Sequence, residues 1–140
     1  MADIKKVFGV DKTKSEDGTW VDLEEGIRVK IARIGNLSYR KELERLSKPR
    51  RRQIRRGTLS EETAEQMLTE VMAKTVLLDW EGIEEDKKKV PYSIAAARRL
   101  LTEYPDFREM ISDLAGEMET FKQEFDEESE KNLRKSSGST

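Results

Sequence analysis

The chain has 140 residues, 35% of them hydrophobic and 40% charged, and its 27 basic and 29 acidic side chains leave a net charge of −2 without a single Cys or His. That length fits one domain, or one domain plus tails. The missing Cys excludes disulfides, thiolate nucleophiles and Cys-containing zinc sites, and the missing His removes the commonest general base and transition-metal ligand.

Residues 4–34 read as a small antiparallel β meander. In "KSEDGTWVDLEEGIRVKIARIG", Asp17-Gly18 is a hairpin-turn dipeptide and Glu25-Gly26 a second reversal. Thr19, Val21 and Leu23 alternate with Trp20 and Asp22, and Ile27, Val29 and Ile31 alternate with Arg28, Lys30 and Ala32, until the pattern breaks at Arg33-Ile34. So few strands need helices to cover their apolar face.

From Asn36 the period turns helical. Tyr39, Leu43 and Leu46 share a face, with Asn36 or Ser38 able to cap the start. Pro49 interrupts, and "RRRQIRRG" stops at Gly57. A new helix opens with the capping-box spacing of Thr58 and Glu61 and carries Ala64, Met67, Leu68, Val71, Met72, Val76 and Trp80 on one stripe. In this reading Trp80 continues the helical row and closes a core, Gly82 is the helix C-cap, and Asp79 and Glu81 project sideways into water. "EEDKKK" is a solvated connection, Ser93 caps the next helix, and Ile94, Ala97, Leu101 and Tyr104 form its face. Pro105 opens the last helix, whose stripe is Phe107, Ile111, Leu114, Met118, Phe121 and Phe125.

The expected fold is therefore α+β and mostly helical, with a small N-terminal antiparallel β meander followed by four to five helices. One domain spans 1–125, comprising the meander at 4–34 and a helical part at 36–125. Residues 126–140, "DEESEKNLRKSSGST", read as a disordered charged and Ser-rich tail.

Little here can carry chemistry. Asp79 and Glu81 lie two apart on the expected helix and so point about 200° apart. Asp106 and Glu109 are ordinary helix N-terminal charges. With no His and no Gly-rich phosphate loop, no catalytic, metal or cofactor-binding constellation emerges, and the chain is expected not to be an enzyme and to need no cofactor. Two surfaces remain as candidates for partner binding. One is the basic cluster Lys48, Arg50, Arg51, Arg52, Arg55 and Arg56, which suits phosphates or an acidic partner but has no interleaved aromatic to stack on bases. The other is the end of the last helix, at Met118, Phe121 and Phe125, which could dock a partner helix. Trp80, Tyr104 and Phe107 are assigned to the core. No apolar run approaches the ~18 residues of a membrane span, and "MADIKKVFGVDK" lacks the apolar core of a signal peptide, so no membrane association and a cytoplasmic location are expected.

Several segments together resemble the tail assembly chaperones of long-tailed bacteriophages and prophages. They are "GTWVDLEEGIRVKIARIGNLSYRKELERL" at 18–46, "VLLDWEGI" at 76–83, "VPYS" at 90–93 and "LLTEYPDFREMI" at 100–111. The likeness lies in the order and spacing of these pieces, over residues 18 to about 125, and Trp80, Tyr92, Tyr104 and Phe107 fall at the family's recurrent positions. It implies a non-enzymatic protein of the infected bacterial cytoplasm, absent from the mature virion. Such a protein binds the tape measure protein and tail tube subunits during tail morphogenesis, and self-association is compatible with that role. This chain would be the short form, with a frameshifted extension joining near Asp126. The alternative reading is a small nucleic-acid-binding regulator that uses Arg50 to Arg56; the slightly negative net charge disfavours it.

Overall fold

The computed structural model describes residues 1–117 and 119–122 and has the expected α+β architecture. It does not begin with strands. Two short helices come first, α1 (Ile4–Phe8) and α2 (Lys12–Asp17). Asp3 and Asp11 start them by accepting the backbone N–H groups of Lys5 and of Thr13 and Lys14. Gly18, at φ 88, ends α2 instead of turning a hairpin. The meander expected from residue 4 thus begins only at Thr19. There β1 (Thr19–Asp22) pairs antiparallel with β2 (Arg28–Ile31), and the reversal at Glu25-Gly26 falls where the sequence placed it.

Five α-helices follow among the described residues. Asn36 caps α3 (Leu37–Ser47), a 3-10 turn at Lys48–Arg50 leads into α4 (Arg51–Arg56), and Gly57 closes α4 in the left-handed conformation. The cap of α5 (Glu61–Thr75) is Ser60, whose side chain accepts the Thr63 N–H. Thr58, the expected cap, instead gives its N–H to the Gln53 carbonyl at the end of α4. Ser93 caps α6 (Ile94–Glu103), and Pro105 opens α7 (Pro105–Gly116).

The largest departure lies between α5 and α6. Residues 77–81 are a strand, β3 (Leu77–Glu81), that adds to β2 and completes a sheet of order β1-β2-β3. Ile31 faces Leu77 and Lys30 faces Asp79, so Leu78 is the extra residue of a β-bulge. The bulge puts Leu77 and Trp80, three apart, on the same buried face. A spacing of three is also what a helix produces, which is why the row from Ala64 to Trp80 mimicked one long helix. Gly82 accordingly belongs to a turn after a strand and is no helix cap. Asp79 and Glu81 lie opposite Lys30 and Arg28 on the outer face of the sheet, on the same side as one another.

Trp80 is nonetheless a core side chain, 5% exposed, in a cluster with Val29 and Ile31 of the sheet, Met72 of α5, Leu101 of α6 and Ile111 of α7. Its indole N–H donates to the Val90 carbonyl at 2.7 Å, and its ring meets Tyr92 edge-on at 5.0 Å. The Tyr92 hydroxyl donates in turn to the Leu77 carbonyl, so one Trp–Tyr pair straps the segment before α6 across β3. Phe107 is half-buried against the same cluster.

Two further contacts fix the outer elements. The buried Asn36 amide donates to the carbonyls of Arg33 and Thr75, tying the start of α3 to the end of α5. Glu42 of α3 accepts Lys74 of α5 at 3.1 Å and Arg45 at 2.6 Å. At the other end, α7 stops at Gly116, so the stripe from Phe107 to Phe125 is not one helix. The chain turns back there, and the Phe121 carbonyl accepts the Asp11 N–H.

Candidate functional site

The reversal between β1 and β2 and the segment that follows β3 carry nearly the same residues, "LEEGI" at 23–27 and "IEED" at 83–86. The fold brings them side by side. Gly82, at φ 77, sits against the Gly26 carbonyl oxygen so closely that a Cβ would collide with it. Beyond Gly82, Glu84–Glu85 (β4) and Lys88–Lys89 (β5) form a small hairpin closed by Asp86 and Lys87. Both turn residues have positive φ, as a two-residue hairpin turn of this hand demands. A latch holds this hairpin to α6. Arg99 donates to Glu85 at 2.7 Å, and the Tyr104 hydroxyl donates to the same carboxylate at 2.6 Å. The Arg99 and Tyr104 bonds hold the Glu85 carboxyl below the usual range, and the Glu85 bond raises the Tyr104 phenol.

Between the two turns and the α6–α7 corner runs an open groove of about 660 Å³. Its apolar lining is Leu23, Ile27, Ile83, Leu100, Phe107 and Met110. Its rim is acidic: Glu24, Glu25, Glu84, Glu85, Asp86 and Asp106. Of these six, only Glu85 has an ion-pair partner among the described residues. Such a surface offers a ligand an apolar floor bordered by negative charge. Among the described residues no cluster of three or more carboxylates is placed to hold a metal, and no helix is long and apolar enough to cross a membrane.

The second surface is the arm formed by the 3-10 turn and α4. It buries none of its residues. Arg51 reaches Glu44 at 3.8 Å, while Lys48, Arg50, Arg52, Arg55 and Arg56 have no carboxylate within bridging distance among the described residues. Ile54, 44% exposed, stands among these cations. The basic cluster predicted from sequence is therefore held together as a protruding, largely uncompensated patch.

The other predicted residues fare differently. Phe121, expected to contact a partner, is fully buried, because the chain turns back after α7 instead of extending it. Met118 and Phe125 lie outside the described residues, as does the tail at 126–140. Tyr104, expected in the core, is 44% exposed and serves as the hairpin latch. The groove itself was missed. Its signal was the repeat of an apolar residue followed by two glutamates at both turns, together with Met110 lying off the buried stripe of α7.

The sequence places the chain among prophage proteins: the family model that matches residues 34–132, more than half of the chain, is one of prophage proteins. The chain belongs to the YdaY prophage protein family. The matched span begins after β2 and runs past the end of α7, so it holds the arm and the α6–α7 wall of the groove. No curated protein and no solved structure matches the chain.

Proposed function

We propose that this protein is a non-catalytic tail assembly chaperone that binds a helical segment of the tape measure protein, and tail tube subunits, during phage tail morphogenesis in the bacterial cytoplasm. One observation carries the reading: the open groove floored by Leu23, Ile27, Ile83, Phe107 and Met110 and rimmed by carboxylates. A long helical, partly apolar chain aggregates when uncovered. A groove of this kind accepts the apolar face of one helix, read at i, i+3 and i+4, while its acidic rim favours basic flanks. Met110, unbranched and 45% exposed, lets the floor adapt to differing side chains. Membership of a prophage family and the sequence resemblance to tail assembly chaperones point the same way. The protein acts by reversible binding, uses no cofactor and leaves before the virion is complete.

The test is co-expression of the chain with the tape measure and tail tube proteins of the same prophage, followed by affinity capture. Recovery of the tape measure protein with the chain supports the proposal. A folded chain that captures neither protein refutes it. A second reading has its own observation, the five uncompensated cations of the arm, which suit phosphates in a nucleic-acid-binding regulator. A nucleic-acid binder of that kind loses affinity steeply as salt rises, whereas apolar docking in the groove does not.

A further inference from the structure

We infer that the acidic groove of one copy takes the arginine arm of a second copy, so that the protein self-associates head to tail. The two surfaces match in charge. Glu24, Glu25, Glu84, Asp86 and Asp106 rim the groove without ion-pair partners among the described residues. Lys48, Arg50, Arg52, Arg55 and Arg56 stand on the arm in the same condition. Five anions face solvent on one surface and five cations on the other. They match in the placing of apolar surface as well. The arm presents Ile54 at its centre, and the groove presents an apolar floor between its carboxylates. Docking buries Ile54 against Ile27, Ile83 and Phe107 while the guanidinium groups pair bidentately along the rim.

The arm also lacks what ordinarily holds so short a helix. Isolated helices under about 12–15 residues are marginal in water and gain most of their stability from packing an apolar face. Helix α4 has six residues and buries none. A second copy supplies the missing packing, and every copy in solution carries both halves of the joint.

Because groove and arm are different surfaces, the contact is heterologous and repeats, giving open chains of copies and no closed two-fold dimer. The inference rests on the groove being a docking surface, as in the proposed function, and not on which client it serves. A client segment with basic flanks competes with the arm for the same floor.

Sedimentation velocity of the full chain over a concentration series tests this without any phage partner present. At about 0.1 M salt, where the Debye length is ~10 Å, the average mass should climb above the 16.2 kDa monomer as concentration rises. At about 1 M salt, with screening at ~3 Å, it should fall back toward the monomer. Two variants complete the test, each changing exposed side chains only and each checked for folding by circular dichroism. Arg52→Glu/Arg55→Glu removes the arm and keeps the groove; Glu24→Lys/Glu25→Lys spoils the rim and keeps the arm. Each alone should stay monomeric, and an equimolar mixture should form a dimer that grows no further. A wild type that stays monomeric at every concentration overturns the inference. So does association that both variants retain, or a mixture that forms no dimer. Failure here leaves tape measure capture untouched, since that assay does not depend on the arm.

Discussion

Replacing Trp80 tests the claim that the bulged third strand closes the core. The side chain is 5% exposed, packs with Val29, Met72, Leu101 and Ile111, and holds the Val90 carbonyl through its indole N–H. Truncation to Ala removes the ring, leaves a cavity between sheet and helices, and frees the strap at Val90–Tyr92. Large-aromatic truncations of this kind cost about 3–5 kcal/mol. Edge-on packing with Tyr92, at ~0.5–1.5 kcal/mol, is part of that loss and does not add to it. Trp80→Phe separates the two contributions. It keeps most of the packing and drops the N–H bond, so its cost should be about 1–2 kcal/mol. Urea titration followed by circular dichroism and by Trp20 fluorescence measures both, with the midpoint moving and the slope unchanged. If Trp80→Ala costs under about 1 kcal/mol, far below the range for a buried aromatic, the strand does not plug the core. If Trp80→Phe is as damaging as Trp80→Ala, the hydrogen bond and not the ring holds the strap.

Three further outcomes follow from the same geometry. Asp79→Asn and Glu81→Gln should each shift stability by no more than about 0.5 kcal/mol in the same titration, because both sit on the outer face of the sheet and the Glu81–Arg28 pair is exposed and long at 3.5 Å. Gly82→Ala should cost well over ~2 kcal/mol and widen the groove, since it adds a steric clash with the Gly26 carbonyl to an unfavourable positive φ; Gly57→Ala, with positive φ but open space around it, should cost only about 1 kcal/mol. Glu42 is held down at about 2 by the Arg45 hydrogen bond first and by Lys74. Its carboxylate therefore contributes stability that is complete above its ordinary value of 4.5 and is lost as pH falls through about 2. With solvent screening that contribution is about 1 kcal/mol at neutral pH, so thermal melts of wild type and Glu42→Gln should differ most at pH 7 and converge in acid.

How much of this was legible in the sequence depends on whether local signals agreed. Asn36 and Ser93 cap the helices they were expected to cap, because a short polar side chain before an apolar row has few other uses. The β1–β2 hairpin was equally plain from strict alternation around Glu25-Gly26. Trp80 was legible as a core residue and not as a strand residue. Its spacing from Leu77 satisfies a helix, and only pairing with β2, more than forty positions away in the chain, creates the bulge that reproduces this spacing in a strand. Residues 4–17 misled for a related reason. Aspartate caps at Asp3 and Asp11 outweighed a turn dipeptide that acts as a helix stop. Phe121 looked like surplus apolar surface, but it is fully buried where the backbone at 121–122 pairs with the far end of the chain at Val10 and Asp11. Of the candidate sites, the arginine arm could be read directly, since a run of cations beside Pro49 and Gly57 has no core to join. The groove could not. Its walls are two turns and the α6–α7 corner, which only the fold brings together, and none is unusual alone.

The most direct test of the account is whether the groove keeps a tape measure protein soluble. Co-expressed wild-type chain should move that protein from the pellet into the soluble fraction, and Met110→Glu, which places a charge on the exposed groove floor without touching the buried core, should abolish the rescue while remaining folded. Rescue by both chains would contradict the groove as the client site, and rescue by neither would contradict the chaperone reading itself.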